Sequence, residues 1–230
     1  FNGEFVSELY LVRHGQASFG AKNYDKLSEL GHQQAFWLGD YFKSRNISFA
    51  KAFRGDMVRH QETTAGILRG LGQSPEISID TGFNEFDFKN IGDSYQTVNP
   101  QSRLPKNPQP ADFYRLLKQA MYAWSQDQLP MDTLDESWVD FKNRVNGAMQ
   151  AACHTKSKQP ILIVSSGGAI SMLMSLVLGM EAKQVIELNM QVRNTSISHF
   201  YYNQDNIRLS SFNNIPHLDS PERLDSITFS

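Results

Sequence analysis

Cysteine is nearly absent from this chain of 230 residues: the single one, Cys153, closes no internal disulfide and anchors no cluster of metal ligands. It stands in Ala151-Ala152-Cys153-His154, which reads as the end of a helix, and is taken as a structural or surface thiol rather than a nucleophile. A charge excess of either sign is missing too. Lys and Arg number 22 against 24 Asp and Glu, a formal net charge of −2. The chain therefore has no bulk attraction to nucleic acid or to an anionic membrane, and neither is expected as a partner; an anion site has to be built locally from Arg side chains or backbone N–H groups. Long hydrophobic runs are also lacking. The longest, Ala169–Met180, is interrupted by Ser171, Ser175 and Gly179 and falls short of the roughly 20 residues that span a bilayer. With no basic start followed by an apolar run, no signal peptide is expected, and the expected location is the cytoplasm.

What is present is a core-forming composition, 40% apolar, in an order that alternates strands with helices. Leu9–Val12 is a short apolar run that ends near Gly15 and predicts a buried strand. Gly31 to Arg45 carries Ala35, Leu38 and Phe42 at helical spacing, with Ser28 placed to cap the helix. Phe49–Phe53 predicts a second strand, Arg59–Leu71 a helix ending at Gly72, and Glu76–Ile79 a third strand. Residues 92–110 hold Pro100, Pro105, Pro108 and Pro110, which argues against a long helix or central strand and for a surface excursion. Two helices are expected over Asp112–Ser125 and Glu136–His154, around a turn at Pro130. Ile161–Val164 is continuous, β-branched and bounded by Pro160 and Gly167, the strongest strand signal in the chain. A helix over Ala169–Leu178 follows, then paired strands Ser196–Tyr202 and Ile207–Phe212 around the Asn203–Asn206 turn. The expected fold is a three-layer α/β/α sandwich with a mostly parallel central sheet and a helical cap insertion. It is read as one domain over 1–230 with the cap at about 92–155.

Four stretches carry chemistry. In Arg13-His14-Gly15-Gln16, a guanidinium and an imidazole stand together after the first strand, at the end where open α/β sheets place ligands. Gly15 lets a ligand approach the backbone, Arg13 offers a planar fork of donors suited to phosphate oxygens, and a neutral His14 can attack phosphorus. Arg59 follows the second strand in Arg59-His60-Gln61-Glu62-Thr63-Thr64-Ala65, near a helix start that favours anions. Glu85 follows the third strand and can act as proton donor to a leaving group. Ser165-Ser166-Gly167-Gly168 follows the strongest strand and opens a helix with its N–H groups available to an anion. Taken singly, each also reads as ordinary structure: a solvated arginine, a surface carboxylate, a tight turn.

Together, in this order, the four stretches resemble the histidine phosphatase (phosphoglycerate mutase-like) superfamily. Leu27-Ser28-Glu29-Leu30-Gly31-His32-Gln33-Gln34-Ala35 is similar to the family segment that ends in Gly-x-x-Gln-Ala. The resemblance covers about residues 9–91 and 160–218. It implies that His14 is the nucleophile, that Arg13 and Arg59 clamp phosphate, and that Glu85 is general acid and then base. Gln16, Ser166 and Gly167 are added as substrate contacts. It implies a small phosphorylated substrate, hydrolysis through a phosphohistidine with a mutase as the alternative, and neither metal nor cofactor. The oligomeric state is left open.

One position departs from the pattern. The family usually has His-Gly where this chain has Ser166-Gly167. A serine hydroxyl donates one hydrogen bond but carries no charge. Loss of an ionised donor from such a site is expected to slow the reaction roughly a hundredfold, so a weakly active phospho-ligand-binding protein is a further alternative. His32, His60, His199 and His217 are read as ordinary surface or core residues, with His217 closest to a family-like segment, Asn213–Leu218.

Overall fold

The structure, a computed structural model, describes residues 6–18, 25–203 and 206–229. Six strands form one sheet in the order β3-β2-β4-β1-β5-β6. They are β1 (Ser7–Arg13), β2 (Lys51–Arg54), β3 (Glu76–Ile79), β4 (Ile161–Ser165), β5 (Ile197–Tyr202) and β6 (Ile207–Asn214). Neighbours among β3, β2, β4 and β1 run parallel, and β5 and β6 add an antiparallel edge. This is the mostly parallel sheet that the alternation of strands and helices predicts.

Alternation along the central strands explains how helices come to lie on both faces. Leu9 and Leu11 of β1, with Ile161 and Ile163 of β4, join one core with Val145, Ala152, Met172 and Leu173. Val12, Leu162 and Val164 join a second core with Ala35, Leu38, Phe42 and Ile67. Side chains two apart on a strand share a face, so a strand with both sets apolar is buried twice over. The second core belongs to α1 (Glu29–Ser44) and α2 (Val58–Leu71), the first to α4 (Pro110–Ser125), α5 (Trp138–Cys153) and α6 (Gly167–Leu178). Caps behave as the sequence suggests: Ser28 accepts from Gly31 N at 3.0 Å, and Gly72 closes α2 at φ 72°.

Two expectations need correction, and one helix is unforeseen. Residues 92–98 are not part of a surface excursion; they complete α3 (Phe88–Val98), which Asp87 caps by accepting from Asn90 N. The prolines begin only at Pro100, so nothing before it breaks the helix. The helix after β4 begins at Gly167 rather than Ala169. A seventh helix, α7 (Ala182–Asn189), is not signalled in the sequence; it is 8 residues long and buries only Val185 and Ile186, too few to set a period. Among the described residues no helix is long and apolar enough to cross a membrane.

Candidate active site

The carboxyl ends of β1, β2 and β4 lie side by side, and the turns leaving them, with the turn after β3, carry the predicted residues. Arg13 pairs in register with Ser165, and His14 N donates to Ser165 O at 2.9 Å. Asn194 Nδ2 donates to His14 O at 3.0 Å. Both backbone polar groups of His14 are thus fixed by separate segments of chain.

The imidazole of His14 is 4% exposed. Its Nδ1 lies 2.7 Å from Gly15 O. A carbonyl can only accept, so Nδ1 carries the ring proton and Nε2 keeps its lone pair. Burial first, then the nearby Arg59 and Arg13 charges, hold the ring well below the ordinary histidine range, which keeps it neutral. The turn after His14 is shaped by α1. A Cβ on Gly15 would lie 2.5 Å from Gly31 O, and one on Gly31 would lie 2.2 Å from Gln16 O. The absent side chain of Gly15 therefore serves a close approach of two backbones, a reason beyond the ligand access read from sequence. Gly15 N is satisfied by Thr63 Oγ1 at 3.0 Å.

Arg59 stands in the first turn of α2, buried and 6% exposed. Its Nη1 meets Asp25 Oδ1 at 2.8 Å, while Asp25 Oδ2 accepts from Val58 N at 2.8 Å. One carboxylate thus caps the helix and countercharges the arginine. Arg59 Nε is buried without a hydrogen-bond partner. Arg13 reaches across the sheet end: its Nη1 donates to Val192 O and to Phe229 O, the latter at 2.9 Å.

Glu85 is half-buried and turned toward the start of α6, where its Oε2 accepts from Gly168 N at 2.9 Å. Gln16 has its side-chain oxygen engaged by Ser28 Oγ at 2.7 Å. Ser166 is fully buried at the N-terminus of α6. A Cβ on Gly167 would come within 3.6 Å of the Arg13 guanidinium. His14, Arg13, Arg59, Ser166 and Gly167 thus gather at one end of the sheet, with Glu85 tied to the same turn.

Sequence reasoning missed two members. His60, read as an ordinary helix residue, is fully buried with its Nε2 2.7 Å from Ser166 Oγ, and its ring centroid is 5.8 Å from that of His14. Burial, then Arg59 and Arg54, keep it well below the ordinary histidine range. Arg144 on α5 donates to Asn84 O at 2.8 Å, Gly82 O at 3.2 Å and Glu85 O at 3.4 Å, and pairs with Glu136 at 2.6 Å, so it pins the segment bearing Glu85. Nothing in the sequence distinguishes either from a neighbouring helical residue. The other histidines stand elsewhere: His199 pairs with Glu8 at 2.9 Å, and His217 meets Thr195 Oγ1 at 2.8 Å. Cys153 is the last residue of α5, its thiol pushed up to about 12 by burial, far from an activated nucleophile. Two surface cavities, about 400 and 510 Å³, are lined by residues such as Tyr95 and Tyr122, and Tyr10 and Arg193, and include none of the clustered side chains.

A family model described as "Histidine phosphatase superfamily (branch 1)" matches residues 9–215. Probable phosphoglycerate mutases from Salmonella choleraesuis and Cronobacter sakazakii are 24% and 25% identical over 225 residues, covering 93% of this chain and 96% of theirs. Similar solved structures include a phosphoglycerate mutase from Bacillus anthracis, at TM-score 0.67 and 19% identity over 93% of this chain and 96% of that one. A phosphoserine phosphatase from Entamoeba histolytica in complex with 3-phosphoglyceric acid gives TM-score 0.64 and 21% identity over 92% and 99%. A mycobacterial glucosyl-3-phosphoglycerate phosphatase gives 0.59 and 20% over 90% and 99%. At these identities the solved structures speak for the fold.

Proposed function

This chain belongs to the histidine phosphatase superfamily, and from that we propose that it hydrolyses small phosphomonoesters through a phosphohistidine on His14. The observation that carries the reading is the state of that side chain: buried, neutral, with Nδ1–H held by Gly15 O and Nε2 left with its lone pair beside two guanidinium groups. A fixed, unprotonated ring nitrogen next to cations is what attack on a phosphoryl dianion requires.

In the first step Nε2 of His14 bonds to phosphorus as the bond from phosphorus to the ester oxygen breaks, and Glu85 delivers a proton to that oxygen. In the second, water attacks phosphorus, gives a proton to Glu85, and the N–P bond breaks to release phosphate. Arg13, Arg59, Ser166 and the N–H of Gly167 hold the equatorial oxygens, where charge is spread. The position of Glu85 supports its part, since the carboxylate is tied to the backbone of the same turn that presents Ser166 and Gly167. The cap over 92–155 is assigned the choice of leaving group.

His14→Ala is expected to abolish release of phosphate from an aryl phosphate, and wild-type protein quenched in mid-turnover is expected to carry an acid-labile phosphate that the variant lacks. Full activity in the variant sinks the assignment. The mutase reading has support of its own in the naming of the curated relatives. Incubation with 3-phosphoglycerate separates the two: free phosphate favours hydrolysis, the 2-phospho isomer favours transfer.

A further inference from the structure

Ser166 stands where the family resemblance leads one to expect a second histidine, and a histidine reaches the same spot from a different element. His60, on α2, brings Nε2 to 2.7 Å from Ser166 Oγ, and both side chains are fully buried. The two residues are 106 positions apart in the chain. The ring has a fitted place. A Cβ on Gly55, at the exit of β2, would lie 2.4 Å from His60 Nδ1, so the residue there has to be glycine for the ring to sit as it does. His60 O accepts from Thr64 Oγ1 at 2.8 Å, which steadies the turn that carries it.

The hydrogen bonds decide which way this contact runs. His60 Nδ1 is buried and has no hydrogen-bond partner. A neutral imidazole has one N–H. If it were at Nδ1, a buried donor would be orphaned, which is rarer and costlier than an orphaned acceptor. The proton therefore belongs on Nε2, which donates to Ser166 Oγ. The hydroxyl hydrogen of Ser166 is then left for another acceptor, and His60 is the partner found for that oxygen among the described residues.

We propose that His60 and Ser166 form a relay, Nε2–H to Oγ–H to phosphoryl oxygen, that supplies from two elements the donor that the family pattern would supply from one histidine. The proposal rests on the reading that phosphate sits at His14. His60 acts through Ser166 and is a positioning residue. A hydroxyl that accepts one hydrogen bond donates the next more strongly, so the relay makes Ser166 a better donor than serine alone. The same relay answers the concern that serine leaves the site a donor short.

The test is a double-mutant cycle with two readouts: kcat and KM on an aryl phosphate, and binding of inorganic phosphate by calorimetry. Ser166→Ala and His60→Ala are each expected to lower kcat by about tenfold or more, with KM changed by less than about threefold. The double variant is expected to be no worse than Ser166→Ala alone, because the imidazole has nothing to act through once the hydroxyl is gone. His60→Gln places an amide N–H near the site of Nε2 and is expected to recover most of what His60→Ala loses. The exchange His60→Ser with Ser166→His is expected to do the same. Each variant is first checked for wild-type circular dichroism and melting; where His60→Ala fails that check, His60→Gln and the exchange carry the comparison. Additive losses in the cycle, or wild-type kcat and phosphate affinity in His60→Ala and Ser166→Ala, overturn the relay. Wild-type protein that hydrolyses nothing yet loses phosphate affinity on both substitutions upholds the relay while the hydrolase reading fails.

Discussion

Lowering the pH from 7.5 to 5.5 is expected to destabilise this protein steeply, because three histidines are buried in neutral form. His14, His60 and His217 are 4%, 0% and 3% exposed. Burial is the first cause that lowers each of them, with Arg59 and Arg13 adding at His14, Arg59 and Arg54 at His60, and Arg223 at His217, which is pushed down to about 3. Unfolded, each titrates near 6.5. Below that pH the unfolded chain binds protons that the folded chain refuses, so the unfolded state gains. The stability these groups contribute is complete above about pH 6.5 and drains away as pH falls. Each ring that stays neutral in the fold accounts for about 1.4 kcal/mol over this interval, and the three together for about 4 kcal/mol. That corresponds to roughly 10 °C in melting temperature for a chain of this size. The window lies above the carboxylate range, so acids contribute little to the slope. The assay is urea unfolding at both pH values in phosphate-free buffer, since phosphate would favour the folded state by mass action. His217→Gln keeps a donor toward Thr195 and removes one titrating ring; its loss is expected to shrink by about a third. Equal wild-type stability at the two pH values, or an unchanged slope in His217→Gln, refutes the reasoning.

Gly168→Ala puts a Cβ 2.2 Å from Glu85 Oε1 and 2.4 Å from the Phe86 ring, so the carboxylate has to move; kcat on alkyl phosphates is expected to fall at least tenfold, and less on aryl phosphates, whose leaving group needs no proton. An equal fall on both classes in steady-state assays counts against Glu85 as the proton donor. Asp25→Asn removes the countercharge of Arg59, 2.8 Å away, and strands a guanidinium that is 6% exposed. The variant is expected to lose about 3 kcal/mol and to regain more than wild type when inorganic phosphate is added, which thermal melts with and without phosphate would read out.

The parts of the fold legible in the sequence are those where local pattern and burial agree. β4 is apolar at every position from Ile161 to Val164 because helices cover both faces of the sheet there. Ser28 announces α1 because an N-cap is chemistry local to the chain. Arg13, His14 and the helix start that carries Arg59 are legible because segments leaving the carboxyl ends of parallel strands in one sheet come out at the same end. The contact of His60 with Ser166 is invisible for the opposite reason. It depends on how far α2 rotates about its axis and on the space left at Gly55, and no period or motif in either segment encodes that. Arg144 is hidden in the same way: its targets are backbone carbonyls of residues 82–85, which any side chain of the right reach could have met. α7 is short and mostly polar, so its placement comes from packing rather than from pattern.

How the protein keeps one imidazole so fixed follows from the turn before β5. Thr195 has φ 55°, a left-handed value that a β-branched residue adopts only under constraint. The constraint is visible: Thr195 N donates to Arg13 O and His14 O at 3.1 and 3.3 Å, its hydroxyl meets His217, and the preceding Asn194 donates to His14 O. Asn194 is held in turn by Thr228, through its own N–H at 2.9 Å and its side-chain oxygen at 2.8 Å. Relaxing the Thr195 backbone would therefore release the carbonyls of Arg13 and His14 together. The strain sits one hydrogen bond from the proposed nucleophile, and next to Thr228, which holds Asn194, Phe229 supplies its carbonyl to Arg13. Strain of this kind persists only where surrounding contacts outweigh it. Here those contacts bind the backbone of His14 and Arg13, and the Phe229 carbonyl orients the Arg13 guanidinium, so the site is rigid before any phosphate arrives and little reorganisation is left for the reaction itself.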